Sequence, residues 1–117
     1  MIFYGYPPCS TCRQAQKLLE TLGLKFDYVN LKEAPPSPEQ LKDLIERSGL
    51  GIGRFFNTSG QLYREMDLKH QRESLSEDEQ IALLSKHGML IKRPILDTGK
   101  TVIVGRNEAA YQQLVEK

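Results

Sequence analysis

The sequence predicts an α/β fold: a mixed four-stranded sheet in the order β-α-β, a helical stretch, then β-β-α. Three observations lead there. Short runs rich in β-branched and aromatic residues lie near both ends of the chain and frame a middle with helical periodicity. The first run is followed by a helical period and a second alternating run, a β-α-β unit that implies a parallel pair and a right-handed crossover. The last two runs are joined by only four residues, DTGK (97–100), so they must be antiparallel.

Each element follows from local chemistry. IFYGY (2–6) alternates loosely, and Pro7-Pro8 stop it. From Ser10 to Leu22 the apolar positions Ala15, Leu18, Leu19 and Leu22 follow i, i+3, i+4, i+7, with Gly23 as the C-terminal cap. LKFDYVNL (24–31) reads as the second strand. Ser37 caps the next helix, Pro38 suits its first position and Gln40 completes a capping box. Leu41, Leu44 and Ile45 form its buried stripe, and Gly49 ends it. LSEDEQIALLSKHG (75–88) repeats the pattern with a Ser76 cap, Glu79 at the third position, Ile81 and Leu84 inward, and Gly88 at the end. Glu77, Asp78 and Glu79 crowd its first turn, where the helix dipole favours them. Between the two helices FFNTSGQLYREMDLKHQ (55–71) is polar with scattered apolar anchors and shows no clear period. MLIKRPIL (89–96) carries Pro94 before a short β-like run, TVIVG (101–105) is a strand, and Asn107 caps a closing helix with Ala110, Tyr111 and Leu114 inward.

A chain of 117 residues suits one domain, expected to span 1–117 with a helical insertion at about 35–90. Sixteen basic residues against fifteen acidic leave a net charge of +1, so no charge excess favours nucleic acid or a membrane. The N-terminus has neither a basic n-region nor an apolar h-region, and no run reaches transmembrane length. A cytoplasmic protein is expected.

The only two cysteines, Cys9 and Cys12, form one tight C-x-x-C where the first helix begins. Unpaired N–H groups of the first turn and the helix dipole favour a thiolate there, and Arg13 adds a full charge one turn away. A thiolate at Cys9 is a nucleophile, and Cys12, one turn into the helix, can resolve a mixed disulfide formed on it. Three other readings compete. A zinc site needs four ligands, and His70 and His87 lie at no known ligand spacing. Two inert buried thiols are common in cores, although Cys9 lies at an element boundary beside Pro8. A purely structural disulfide would close too short a loop to stabilise the fold much. Redox chemistry is favoured. GLGIG (49–53) follows a helix end rather than a strand and reads as a cap and turn, not a dinucleotide loop. His70 and His87 read as surface residues, and Lys92-Arg93 reads either as a solvated pair or, for Arg93 beside Pro94, as a functional group.

These residues together resemble a known family. A strand followed by P-x-C-x-x-C-R, then FFNTSGQLYRE, GMLIKRPIL and TVIVGRNE, resembles the glutaredoxin-coupled arsenate reductases and the Spx-type regulators across essentially the whole chain. The resemblance implies a thioredoxin-like core with a helical insertion between its halves. It implies that Pro94 is a cis-proline facing the helix of Cys9, that Cys9 is the nucleophile, and that Arg93 is the arginine preceding that proline. Arg13 and Arg93 with the helix N-terminus would then bind an oxyanion or steady the thiolate. No bound cofactor is implied; glutathione with glutaredoxin, or thioredoxin, would supply electrons. Two departures stand out. Where the reductases carry an arginine in the central segment this chain has Asn57, and their arginine near the last strand has only a loose counterpart in Arg106. An amide cannot replace the charged fork that arginine offers a dianion, which speaks against arsenate as substrate. The function expected is therefore a small thiol–disulfide oxidoreductase with a Cys9–Cys12 redox pair, acting on a thiol partner or a small oxyanion. The alternative is an Spx-type redox switch that binds RNA polymerase through the C-terminal domain of its α subunit, without the tail that Spx proteins carry beyond the position of Lys117.

Overall fold

The computed structural model describes residues 1–116; Lys117 lies outside them. Four strands, β1 (Ile2–Gly5), β2 (Asp27–Asn30), β3 (Ile95–Asp97) and β4 (Val102–Val104), form one mixed sheet in the order β2-β1-β3-β4. β1 pairs parallel with β2 from Ile2↔Asp27 to Gly5↔Asn30, and antiparallel with β3 from Ile2↔Asp97 to Tyr4↔Ile95. β3 and β4 make the closing antiparallel hairpin. Among the described residues six α-helices surround it: α1 (Ser10–Thr21), α2 (Pro38–Ser48), α3 (Gln61–Glu65), α4 (Leu68–Gln71), α5 (Glu77–Lys86) and α6 (Glu108–Gln113).

Alternation along β1 divides the core between the two faces of the sheet. Phe3 points to one side and packs with Cys12, Ala15 and Leu19 of α1, Leu96, Ile103 and Tyr111 of α6. Tyr4 points to the other, where Leu41, Leu44 and Ile45 of α2 meet Ile81 and Leu84 of α5. The cysteine pair thus lies on the α1–α6 face, and the helical middle of the chain covers the opposite one.

Both serine caps form complete boxes: Ser37 N–H donates to Gln40 Oε1 at 2.9 Å while Gln40 N–H donates to Ser37 Oγ at 3.1 Å, and Ser76 with Glu79 repeats this. Gly49 closes α2 at φ +71, a left-handed conformation that explains the residue. Gly88 has another reason. α5 ends at Lys86, and Gly88 opens a 3₁₀ turn (Gly88–Leu90) where a Cβ would collide with the backbone carbonyl of Leu31. Two chain segments approach closely there, and only glycine leaves the space.

The second strand is shorter than the alternation of 24–31 suggests. Its pairing with β1 begins at Asp27, whereas Leu24 N–H still donates to Leu19 O at the exit of α1. Phe26 lies before the ladder and packs its ring 5.3 Å from that of Phe3. The polar segment after Gly49 is ordered by short helices, α3 anchored by buried Tyr63 and α4 by buried Leu68. It is stitched to the chain before β3 by a Phe56↔Ile91 bridge, by Asn57 N–H to Leu90 O (2.7 Å) and by Lys92 N–H to Phe55 O (2.7 Å). No helix among the described residues is long and apolar enough to cross a membrane.

Candidate active site

β1 leaves the sheet at Gly5, and Tyr6-Pro7-Pro8 turn the chain so that Cys9 N–H donates to Tyr6 O at 2.9 Å. Cys9 is the residue that precedes α1, extended at φ −75° and ψ 123°. Its neutral thiol makes no cap hydrogen bond. Burial pushes the thiol up, but the Cys12 N–H, the Cys12 thiol, the Arg93 guanidinium and the Thr11 N–H all favour the anion, and the net direction is down. The amides of the first helical turn thus act on the charged sulfur, as a helix N-terminus should.

Cys12 is the opposite case. It is 0% exposed, and burial first, together with its bond to Cys9, pushes its thiol up to about 12. One turn of helix therefore separates a half-buried sulfur biased toward charge from a sealed sulfur biased against it. Both cysteines are free thiols.

Arg93 reaches this pair from the loop that precedes β3. The Arg93–Pro94 peptide is cis, and Pro94 O accepts from Gly105 N–H at 2.7 Å, which ties the loop to the end of β4. The guanidinium donates from Nη1 to Met89 O (3.2 Å) and lies 5.5 Å from the centre of the Tyr6 ring. Its buried Nε has no partner. Next to it opens a cleft of about 400 Å³ lined by Asn57, Gln61, Leu62, Glu65, Met89 and Arg93. The central segment, through its stitching to Leu90, brings Asn57 beside Arg93. Gln61 Nε2 donates to Glu65 Oε1 at 2.9 Å, so this wall carries amides and a carboxylate where a dianion would need cations.

Of the remaining sequence candidates, Arg13 is exposed on the first turn of α1, its N–H donating to Cys9 O at 3.1 Å, and its guanidinium is not among the groups that shift Cys9. Arg106 gives its Nη1 to Gln14 Oε1 on the outer side of α1. His70 is exposed and bonded to Asp67 at 2.8 Å, whereas His87, read as a surface residue, is half-buried at the end of α5. Among the described residues no cluster of three His, Cys, Asp or Glu side chains is placed to hold a metal ion. Sequence reasoning missed Tyr6, whose ring meets the Arg93 guanidinium, and it did not single out Tyr28 on the α1 face of the sheet. Tyr6 could have been found as the aromatic residue ending β1 directly before Pro7-Pro8; Tyr28 stands in register with Phe3, a pairing only the sheet reveals.

Comparison with known proteins agrees with this arrangement. The profile of the ArsC family matches residues 4–114. The Bacillus subtilis protein YusI is 49% identical over 113 residues, covering 97% of this chain and 96% of that one. An arsenate reductase of Neisseria meningitidis is 32% identical over 106 residues (90% and 88%), and the global transcriptional regulator Spx of Lactiplantibacillus plantarum is 28% identical over 117 residues (100% and 87%). Among solved structures, an ArsC family related protein from Bacteroides fragilis superposes with a TM-score of 0.93 at 39% identity, covering 97% of this chain and 95% of that one. The mixed four-stranded sheet with its surrounding helices is the thioredoxin-like fold of these proteins. The chain belongs to the ArsC family.

Proposed function

We propose that this protein is a cytoplasmic thiol–disulfide oxidoreductase in which Cys9 attacks a disulfide and Cys12 resolves the mixed disulfide. The observation that carries this reading is the placement of the pair: Cys9 lies half-buried at the N-terminus of α1, where first-turn amides and Arg93 bias it toward thiolate, while Cys12 is 0% exposed one turn further in, where burial pushes its thiol up. A nucleophile must be charged and reachable, and a resolving thiol must be held back until the first bond exists. Arg93 steadies the Cys9 anion. Two free thiols suit a reducing compartment, and glutathione with glutaredoxin, or thioredoxin, is the electron source in this reading. Arsenate is not the proposed substrate, because Asn57 and Glu65 line the cleft at Arg93.

The test is alkylation of Cys9 by iodoacetamide across pH in Cys12→Ser, together with glutathione-dependent turnover of hydroxyethyl disulfide by the unaltered protein. Reaction of Cys9 well below the pH at which free cysteine reacts, and turnover lost in Cys9→Ser, are expected. A Cys9 that alkylates no faster than free cysteine at neutral pH would end the reading.

A second reading is a redox-sensing regulator that docks on RNA polymerase at the C-terminal domain of its α subunit. Alignment with the L. plantarum Spx over the full chain favours it. Co-purification of that domain with the dithiol or the disulfide form of the protein tests it; capture in neither form removes it.

A further inference from the structure

The structure holds one buried hydroxyl that the chemistry so far does not use. Tyr28, on β2, is paired with Phe3 of β1, so both side chains stand on the α1 face of the sheet. Its ring packs 5.1 Å from that of Phe3 and against the cluster that contains Cys12, with Cys9 at its border. Toward the cysteine end of β1 the next residue on this face is Gly5, and a Cβ there would stand 2.7 Å from the Tyr28 hydroxyl. The glycine makes the notch into which the hydroxyl extends. Buried in that notch, the oxygen has no hydrogen-bond partner. An orphaned buried hydroxyl is normally removed from a core, since phenylalanine fills the same space without the penalty.

The neighbouring tyrosine shows the contrast. Tyr111, packed in the same cluster, gives its hydroxyl to Gly105 O at 3.1 Å. The Tyr28 O–H, by contrast, is buried and uncommitted in the cluster that holds Cys12. Burial first, then the charges of Cys12 and Cys9, push the Tyr28 hydroxyl up to about 12, so it remains a donor throughout the neutral range.

We propose that Tyr28 is a positioning residue for the resolving step, its hydroxyl, out of bonding geometry with Cys12 in the dithiol form, moving onto the Cys12 sulfur as that sulfur acquires charge. This rests on the oxidoreductase reading above. Chemically, the Cys9 thiolate first displaces one thiolate from a substrate disulfide and is left in a mixed disulfide with the other half. Cys12 S–H then loses its proton to the released thiolate or to water. The Cys12 sulfur attacks Cys9 Sγ, the Cys9–Cys12 bond forms, and the second half of the substrate departs as a thiolate. The substrate disulfide is the oxidant, and the two cysteines are oxidised together. The difficult moment is the transient anion on a sealed sulfur. Apart from Tyr28, the groups around it are the Tyr6 N–H, which favours the anion, and the titratable Cys9, Arg93 and Tyr111. Arg93 also serves Cys9, and the Tyr111 hydroxyl is spent on Gly105.

The experiment uses Tyr28→Phe and the unaltered protein with the chromogenic aryl disulfide dithionitrobenzoate. The first release of coloured thiolate reports attack by Cys9, and the second reports closure by Cys12. In Tyr28→Phe the first release is expected to keep its rate and pH profile. The second is expected to slow about tenfold at neutral pH, the size of one lost hydrogen bond to a charged group, with its profile displaced to higher pH. Thermal stability should not fall, because the variant removes an unpaired hydroxyl. A second release unchanged in rate and profile overturns the proposal and leaves the oxidoreductase reading intact. Absence of a second release from the unaltered protein overturns both. Equal slowing of both releases in Tyr28→Phe, or in a Tyr111→Phe control the same loss confined to the second, assigns the effect to packing and overturns the proposal.

Discussion

Replacing Gly88 by alanine tests why the chain needs a glycine after α5. The methyl group would point into the carbonyl of Leu31, a backbone atom fixed at the end of the β1–β2 pairing by Leu31 N–H to Gly5 O (2.9 Å). Pro35 Cβ crowds the same space at 3.3 Å. A flexible side chain could swing aside, but two backbones must separate. Overpacking costs typically ~1–3 kcal/mol, and a rigid neighbour places this case at ~3 kcal/mol or above. For a chain of this size that lowers the melting temperature by about 10 °C. Gly49→Ala is the matched control: it meets nothing within 4 Å and is penalised only through φ +71, at ~1–2 kcal/mol. Urea unfolding followed by far-ultraviolet circular dichroism measures both. The Gly88–Leu90 turn also presents the Met89 carbonyl to Arg93, so Gly88→Ala should slow Cys9 alkylation as well. A Gly88→Ala protein within ~0.5 kcal/mol of the original, or less affected than Gly49→Ala, would refute the close-approach explanation.

Three further outcomes are expected. Asp97, 13% exposed, takes both Nη groups of Arg47 at 2.7 and 2.9 Å, and that fork first of all holds its carboxyl below the usual range. Because the folded value is depressed, the stabilisation is present above the ordinary carboxylate range and is lost as pH falls through the folded value. Asp97→Asn should therefore cost ~2 kcal/mol at neutral pH, with the gap closing in acid, as urea midpoints at several pH values would show. Asn57→Arg would place a second guanidinium beside Arg93, and isothermal titration with phosphate should show at least about tenfold tighter binding than the original chain. Tyr111→Phe strands the Gly105 carbonyl beneath α6 and should cost ~1–2 kcal/mol, read from the same urea transitions.

Much of this architecture is legible from local chemistry. The serine boxes of α2 and α5, the period of α1 and the four-residue β3–β4 link all depend on near neighbours, and all form as the residues suggest. The start of β2 was not legible, because a ladder begins where its partner begins, and Leu24 is claimed by the end of α1. α3 and α4 are too short to show a period; Tyr63 and Leu68 hold them from within the tertiary core. At the site, the place of the C-x-x-C at the start of a helix is legible from spacing and period. The cleft is not legible, since Asn57 and Arg93 come to line it together through the long-range pairing of residues 55–57 with 90–92. Gly88 reads as an ordinary helix stop, and its true constraint comes from Leu31, far away in sequence.

In the proposed cycle the inaccessibility of Cys12 gives the pair a direction. Once the two sulfurs are joined, an incoming reductant can strike only the outer one, and the inner one must leave as an anion. A sulfur that resists ionisation leaves slowly, so the oxidised form should persist until a strong dithiol donor arrives. A weak monothiol pool would discharge it sluggishly, whereas a partner able to dock over Cys9 and supply its own second sulfur would do so quickly. Such one-way traffic separates the forward and return halves of a cycle by partner, not by site.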